Sequence, residues 1–142
     1  MSGYADSSFV VSLYAPDANS HSAAKLMTRS RFPLVITPLG ELELMNALQL
    51  RVFRKELDSS EVKSANAFFR HDLEIGIFTI KPLSPSIFER AKLLARKQTA
   101  ALGTRTLDLL HVASALVLQA DVFYSFDRQQ EKLARTEGLK VP

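Results

Sequence analysis

The strongest constraint in the sequence is the stretch from Thr104 to Leu118, TRTLDLLHVASALVL, which predicts a helix that is apolar around almost its whole circumference. Such a helix lies inside a domain, because no face of it is suited to water. Asp108 nevertheless falls in its first turns. An ionised carboxylate is costly to bury unless it is paired or holds a cation. Asp108 is therefore either a structural carboxylate at the helix start, where the helix dipole favours negative charge, or a residue that faces a polar cleft.

Strands and helices alternate along the whole chain. Short apolar strands are predicted, with helices between them, at Tyr4–Asp6, Phe32–Thr37, Ile75–Ile80, Ala120–Ser125 and Leu139–Val141. Right-handed crossover connections then give a parallel sheet with helices on both faces. The predicted fold class is α/β: residues 1–142 form a single three-layer α/β/α domain around a central parallel sheet of four to five strands.

Composition excludes several kinds of site. The chain has no cysteine, so disulfides and thiolate metal sites are ruled out, and its three histidines are far apart in sequence, which disfavours a zinc site. No apolar run approaches the roughly 20 residues that span a bilayer, and the N-terminus lacks the basic segment of a signal peptide. We therefore expect a cytoplasmic protein without membrane association. The net charge of +3 does not by itself indicate nucleic acid.

Four acidic residues are expected at one edge of the predicted sheet. Asp6 ends the first strand, and Asp127 follows the fourth. Glu43 lies about two turns into the helix after the second strand, and Asp108 starts the apolar helix. If the first and fourth strands are neighbours, all four acids can face one cleft at the carboxyl ends of the strands, where α/β proteins place functional groups.

Each acid also has a purely structural explanation. Asp6 and Asp127 can cap the helices that follow them, and Gln130 can complete a capping box with Asp127. Glu43 can be an exposed helix residue, although Glu41 is placed nearer the solvent face by its helical phase. The functional reading therefore depends on whether the acids converge, since none of them is decisive alone.

Clustered carboxylates repel one another and favour protonation unless a counter-ion is present. Mg²⁺ or Mn²⁺ would supply that counter-ion, because hard cations prefer oxygen ligands and often use one or two carboxylates plus water. Such a site can activate water and stabilise charge on a phosphodiester. Glu43 or Asp108 can help to orient that water. The sequence decides neither which of them does so nor whether one or two metal ions bind.

The segments around the four acids resemble those of PIN-domain proteins, and most closely VapC-type bacterial toxins. The most specific match is Leu107–Ala115, LDLLHVASA. The segments Tyr4–Ser8, Ile36–Leu44 and Tyr124–Gln129 resemble those that carry the family's other acids. Counting six residues on from Thr37, as the family's pattern requires, selects Glu43 and not Glu41. The resemblance covers nearly the whole chain.

This resemblance implies a Mg²⁺- or Mn²⁺-dependent endoribonuclease that cleaves RNA phosphodiester bonds. The implied metal ligands are Asp6, Asp108 and Asp127, with Glu43 acting directly or through water. Ser7 and Ser125 are implied in support, Ser125 standing where the family commonly has threonine. The resemblance also implies a cognate VapB-type antitoxin and a homodimer.

Other functions stay open at this point. A PIN-fold nuclease of RNA maturation outside a toxin system would have the same motifs, and a catalytically silent PIN-like binding module would share the fold. His111 is interpreted as a packing or hydrogen-bonding residue and not as a metal ligand. An aspartyl-phosphate phosphatase is disfavoured, because Ser8 stands where that class needs a second aspartate.

Overall fold

The computed structural model describes all residues from 1 to 142. Its elements, in chain order, are β1 (Gly3–Ala5), α1 (Ser7–Tyr14), α2 (Ser20–Met27), β2 (Leu34–Ile36), α3 (Pro38–Phe53), α4 (Ser59–Glu74), β3 (Phe78–Ile80), α5 (Pro85–Leu94), a π-helical turn (Ala95–Thr99), α6 (Ala100–Leu102), α7 (Thr106–Val117), β4 (Val122–Tyr124) and α8 (Arg128–Thr136). None of the helices is both long enough and apolar enough to cross a bilayer.

The strands form one parallel sheet in the order β3-β2-β1-β4. The predicted α/β fold with a central parallel sheet is therefore confirmed. The predicted fifth strand, Leu139–Val141, contributes only an isolated bridge between Lys140 and Val122, so the sheet has four strands. The strand order reverses at β1: β2 and β3 are added on one side of it, and β4 is added on the other. In α/β folds such a switch point opens a crevice at the carboxyl ends of the strands.

Apolar side chains on the two faces of the sheet form two separate cores. Phe123 of β4 packs in one core with residues of α5, α7 and α8, whereas its neighbours Val122 and Tyr124 pack in the other with residues of α1, α3 and α4. This alternation follows from the strand geometry, which points successive side chains to opposite faces. The result is the predicted three-layer α/β/α arrangement.

Helix α7 lies inside the domain, as its apolar circumference predicts. Every side chain from Asp108 to Ala115 is buried. Gly103 ends the preceding helix with a φ of +66°, a conformation that suits glycine, and Arg105 is the extended residue before the first turn of α7. The sharp break between α6 and α7 places the start of α7, and Asp108 with it, at the carboxyl edge of the sheet.

Helix α3 begins directly after β2. Thr37 is its extended N-cap residue and Pro38 occupies the first helical position, where the missing N–H costs no hydrogen bond. Leu44 and Leu48 fix the helix against the core. Glu43 precedes Leu44 and so lies at the border between the buried face and the cleft.

Candidate active site

A cleft of about 890 Å³ opens at the carboxyl edge of the sheet. Three of the four predicted acids line it: Glu43 from α3, Asp108 from α7 and Asp127 at the start of α8. The fourth, Asp6, lies behind the cleft wall and is fully buried. β1 pairs with β4, with Ala5 opposite Tyr124, and this pairing brings Asp6 and Asp127 to the same point of the edge.

Asp6 caps α1 with its side chain. Its Oδ1 accepts hydrogen bonds from the backbone N–H of Phe9 at 3.0 Å and from the hydroxyl of Ser8 at 2.7 Å. Its Oδ2 accepts one from the hydroxyl of Ser125 at 2.5 Å. Burial raises the pKa of Asp6 above its usual range, whereas the hydrogen bonds from Ser125 and Ser8 act to lower it. The capping explanation of Asp6 therefore holds, and its role in the site stays a prediction.

The raised pKa of Asp6 predicts a pH effect on stability. Because the folded state binds its proton more tightly than the unfolded chain, stability is greatest below the unfolded pKa and falls as the pH rises through the folded pKa. In metal-free Asp6→Asn this fall should be reduced, and the melting temperature at pH 7 should exceed that of the wild type. Thermal melts in EDTA from pH 4 to pH 7 measure both. Parallel pH profiles for the two proteins would contradict the prediction.

Ser125 connects the two acids that follow the adjacent strands β1 and β4. Its hydroxyl donates to Asp6 and accepts from the backbone N–H of Asp127 at 2.9 Å. Ser8 makes a second link, since its hydroxyl accepts from the backbone N–H of Phe126 at 2.9 Å. Ser7, for which a supporting role was predicted, lines the cleft but forms no side-chain hydrogen bond. Ser8 makes the contacts instead, because the first turn of α1 directs its side chain back toward Asp6.

Asp108 and Asp127 share one cation, the guanidinium of Arg105. Its Nε lies 3.5 Å from Asp108 Oδ2, and its Nη2 lies 3.3 Å from Asp127 Oδ2. The backbone N–H of Arg105 also donates to Asp108 at 2.8 Å. The Arg105 side chain is 73% exposed, so it covers the acids from the solvent side. It is the only basic residue that lines the cleft.

Asp127 also caps α8, since its Oδ1 accepts from the backbone N–H groups of Gln129 and Gln130. The capping box predicted with Gln130 is absent. The Gln130 side chain makes no return bond, and its buried Oε1 has no hydrogen-bond partner. The capping role of Asp127 leaves Oδ2 directed at Arg105.

The side chains present fit a hard divalent cation in chemistry. No three acidic or histidine side chains converge closely enough to hold an ion between them. However, two carboxylates already bind a single positive group, and Mg²⁺ commonly needs only one or two carboxylates together with water. Asp108 and Asp127 are the two residues that would hold such an ion, with Asp6 directly behind them.

Glu43 forms a hydrogen bond with His111, which lies on the core side of it. The His111 ring is fully buried, and its Nε2 lies 2.5 Å from Glu43 Oε1. Its Nδ1 lies 2.8 Å from the hydroxyl of Tyr4, which is also fully buried. His111 therefore makes hydrogen bonds, as interpreted from the sequence, but its contact with Glu43 was not foreseen. The available signal was its position three residues after Asp108, on the same side of a buried helix.

Both the sequence and the fold of this chain are similar to those of known proteins. Residues 4–136 match the family model described as the PIN domain. A solved toxin–antitoxin complex from Klebsiella pneumoniae is 16% identical, with a TM-score of 0.63 over 89% of this chain and 87% of that chain. VapC20 of Mycobacterium tuberculosis, a toxin that cleaves the sarcin–ricin loop, is 16% identical, with a TM-score of 0.71 over 92% of this chain and 94% of that chain. No curated protein sequence gives a significant match.

Proposed function

This chain belongs to the PIN-domain family, and we propose that it is a metal-dependent endoribonuclease that acts as the toxin of a VapBC-type pair. The observation that carries the proposal is that Glu43, Asp108 and Asp127 line one cleft at the switch point of the sheet. A cleft lined by carboxylates suits a divalent cation and the phosphodiester that the cation would activate. The four acids, with Ser125 in support, are the proposed catalytic set.

A bound Mg²⁺ or Mn²⁺ would supply Lewis-acid activation of the phosphate and of the attacking water. In this proposal Asp108 and Asp127 would hold the ion, with Asp6 as the third proposed ligand directly behind them. Asp6 fixes the backbone at the ends of β1 and β4 through its bonds to Ser125 and Phe9. Glu43 stands apart from the Arg105 contacts and faces the cleft as a hydrogen-bond acceptor.

Two solved relatives support the toxin assignment, one as a toxin–antitoxin complex and one as an RNA-cleaving toxin. We accordingly propose an RNA substrate and a VapB-type antitoxin as partner. We also propose that the protein acts in the cytoplasm and forms a homodimer. Helices α3 and α4 expose large apolar side chains that would suit contact with the antitoxin or a second subunit, namely Leu42, Met45, Phe53 and Phe68. A PIN nuclease outside a toxin system would show cleavage without such a partner.

Cleavage of a structured RNA pool tests the nuclease proposal. We expect cutting with Mg²⁺ or Mn²⁺ and none in EDTA. Absence of cutting together with absence of metal binding, measured by Mn²⁺ titration, would contradict it and favour a silent binding module. Co-purification with the product of an adjacent small gene would separate the toxin from a maturation nuclease.

Arg105 should contribute to RNA binding, since it is exposed in the cleft wall. Replacing it with alanine should weaken binding and reduce the slope of log affinity against log salt by about one, because one phosphate contact is lost. Fluorescence anisotropy of a labelled RNA, with Ca²⁺ in place of Mg²⁺ to limit cleavage, measures the slope. Lys63→Ala, an exposed change on α4, is the matched control. Equal slopes for the Arg105 variant and the wild type would contradict the prediction. They would mean that Arg105 makes ion pairs with Asp108 and Asp127 but does not contact RNA phosphate.

A further inference from the structure

We propose that Tyr4 and His111 form a buried hydrogen-bond chain that positions Glu43 as the water-orienting acid of the cleft. This inference rests on the proposed nuclease function, and it assigns different tasks to the acids. Asp108 and Asp127 hold the cation, whereas Glu43 accepts the hydrogen bond from the attacking water. Tyr4 and His111 are positioning residues, since neither lines the cleft.

The chain joins three elements that are distant in sequence. Tyr4 lies in the middle of β1, His111 in the second turn of α7, and Glu43 on α3. The hydroxyl of Tyr4 is 2.8 Å from His111 Nδ1, and Nε2 on the opposite side of the ring is 2.5 Å from Glu43 Oε1. The two aromatic rings meet edge to face, with centroids 5.9 Å apart. Both ring nitrogens of a fully buried histidine are therefore engaged.

The direction of each hydrogen bond follows from the chemistry of its ends. Burial raises the pKa of the Tyr4 phenol well above its usual range, so the hydroxyl stays protonated and can donate to Nδ1. A carboxylate oxygen accepts hydrogen bonds, so if Nδ1 accepts from Tyr4, the ring N–H of His111 is the Nε2–H, which we infer donates to Glu43 Oε1. Tyr4 thus selects the tautomer of His111, and His111 presents one N–H to one carboxylate oxygen.

This arrangement leaves the second Glu43 oxygen for the cleft. The Glu43 side chain is 24% exposed, and no other hydrogen bond holds its carboxylate. Because one oxygen of Glu43 is fixed by His111, the carboxylate can adopt few orientations. Such restriction is what a group that orients the attacking water requires. Asp108 and Asp127 differ in this respect, because both contact the exposed guanidinium of Arg105. Positioning by a buried imidazole is the second-layer support that a catalytic carboxylate needs.

Four variants test the positioning role on RNA cleavage. His111→Leu removes the bond to Glu43 and should lower kcat by about 10²-fold, at the lower end of what a positioned base contributes. KM and Mn²⁺ affinity should stay within about twofold, because the cation and RNA contacts are intact. His111→Gln, which can place an N–H near Glu43, should recover at least about tenfold of the loss. Tyr4→Phe should give an intermediate loss, and His71→Leu on the exposed face of α4 should have no effect.

A second measurement is independent of cleavage. In metal-free wild type, the ¹⁵N spectrum of His111 should show a protonated Nε2 and an unprotonated Nδ1, and Glu43→Gln should shift the Nε2–H signal. A proton on Nδ1 alone, or an Nε2–H signal unchanged in Glu43→Gln, would overturn the hydrogen-bond chain. Equal kcat in His111→Leu and wild type would overturn its catalytic role. If wild type neither cleaves RNA nor binds Mn²⁺ while the ¹⁵N pattern is as expected, the proposed nuclease function fails and the hydrogen bonds from Tyr4 through His111 to Glu43 remain supported.

Discussion

Replacing Asp108 with asparagine should reduce RNA cleavage by about a thousandfold or more, since the variant loses a charge worth several kcal/mol of metal-derived transition-state stabilisation. The fold should persist. The amide has the shape of the carboxylate, and its oxygen can still accept the 2.8 Å hydrogen bond from the backbone N–H of Arg105. The substitution therefore removes negative charge from the cleft without removing the contact that starts α7.

Single-turnover cleavage in saturating Mn²⁺ measures the effect, and thermal melts of metal-free protein check the fold. Asp121→Asn is the matched control. Asp121 is exposed before β4, at the opposite edge of the sheet, and accepts one hydrogen bond from the backbone of Ser2. We expect it to cleave at the wild-type rate. An Asp108→Asn protein as active as the control would remove Asp108 from the proposed catalytic set.

The fold was predictable because its main determinants are periodic. Alternating apolar strands and helices indicate a parallel sheet, and the uniformly apolar α7 must be internal. The fifth strand was less predictable. Leu139–Val141 is apolar enough to pair, but only Lys140 forms a bridge to β4, and a single bridge leaves no periodic signal in the sequence.

The position of the acids at one edge was also predictable, because the ends of parallel strands and the starts of helices share that edge. Their separate surroundings were not. Whether Asp6 faces the cleft or lies behind it depends on the rotamer that lets it cap α1. The pairing of Glu43 with His111 depends on how α3 packs across α7. Contacts of this kind arise from tertiary packing and leave no periodic signal in the sequence.

The site also depends on the core beneath it, so replacing Phe123 with alanine should destabilise the protein by about 3–5 kcal/mol. Phe123 is fully buried in the centre of β4 and stacks on Tyr4 with ring centroids 5.7 Å apart. Removing it leaves a cavity between β4 and the helices of its face. Urea denaturation in EDTA measures the change, and an unaltered m-value would show that the surface exposed on unfolding is the same.

Phe53→Ala is the control for this change, because it deletes the same side chain at a position that is 82% exposed near the end of α3. Its effect on monomer stability should stay within about 0.5 kcal/mol. A loss below about 1 kcal/mol in Phe123→Ala would mean that the sheet collapses around the cavity. Because β4 leads directly into Ser125 and Asp127, and Tyr4 begins the chain to Glu43, such a collapse would displace the acids. Cleavage by the folded fraction of Phe123→Ala therefore reports whether the core sets the geometry of the cleft.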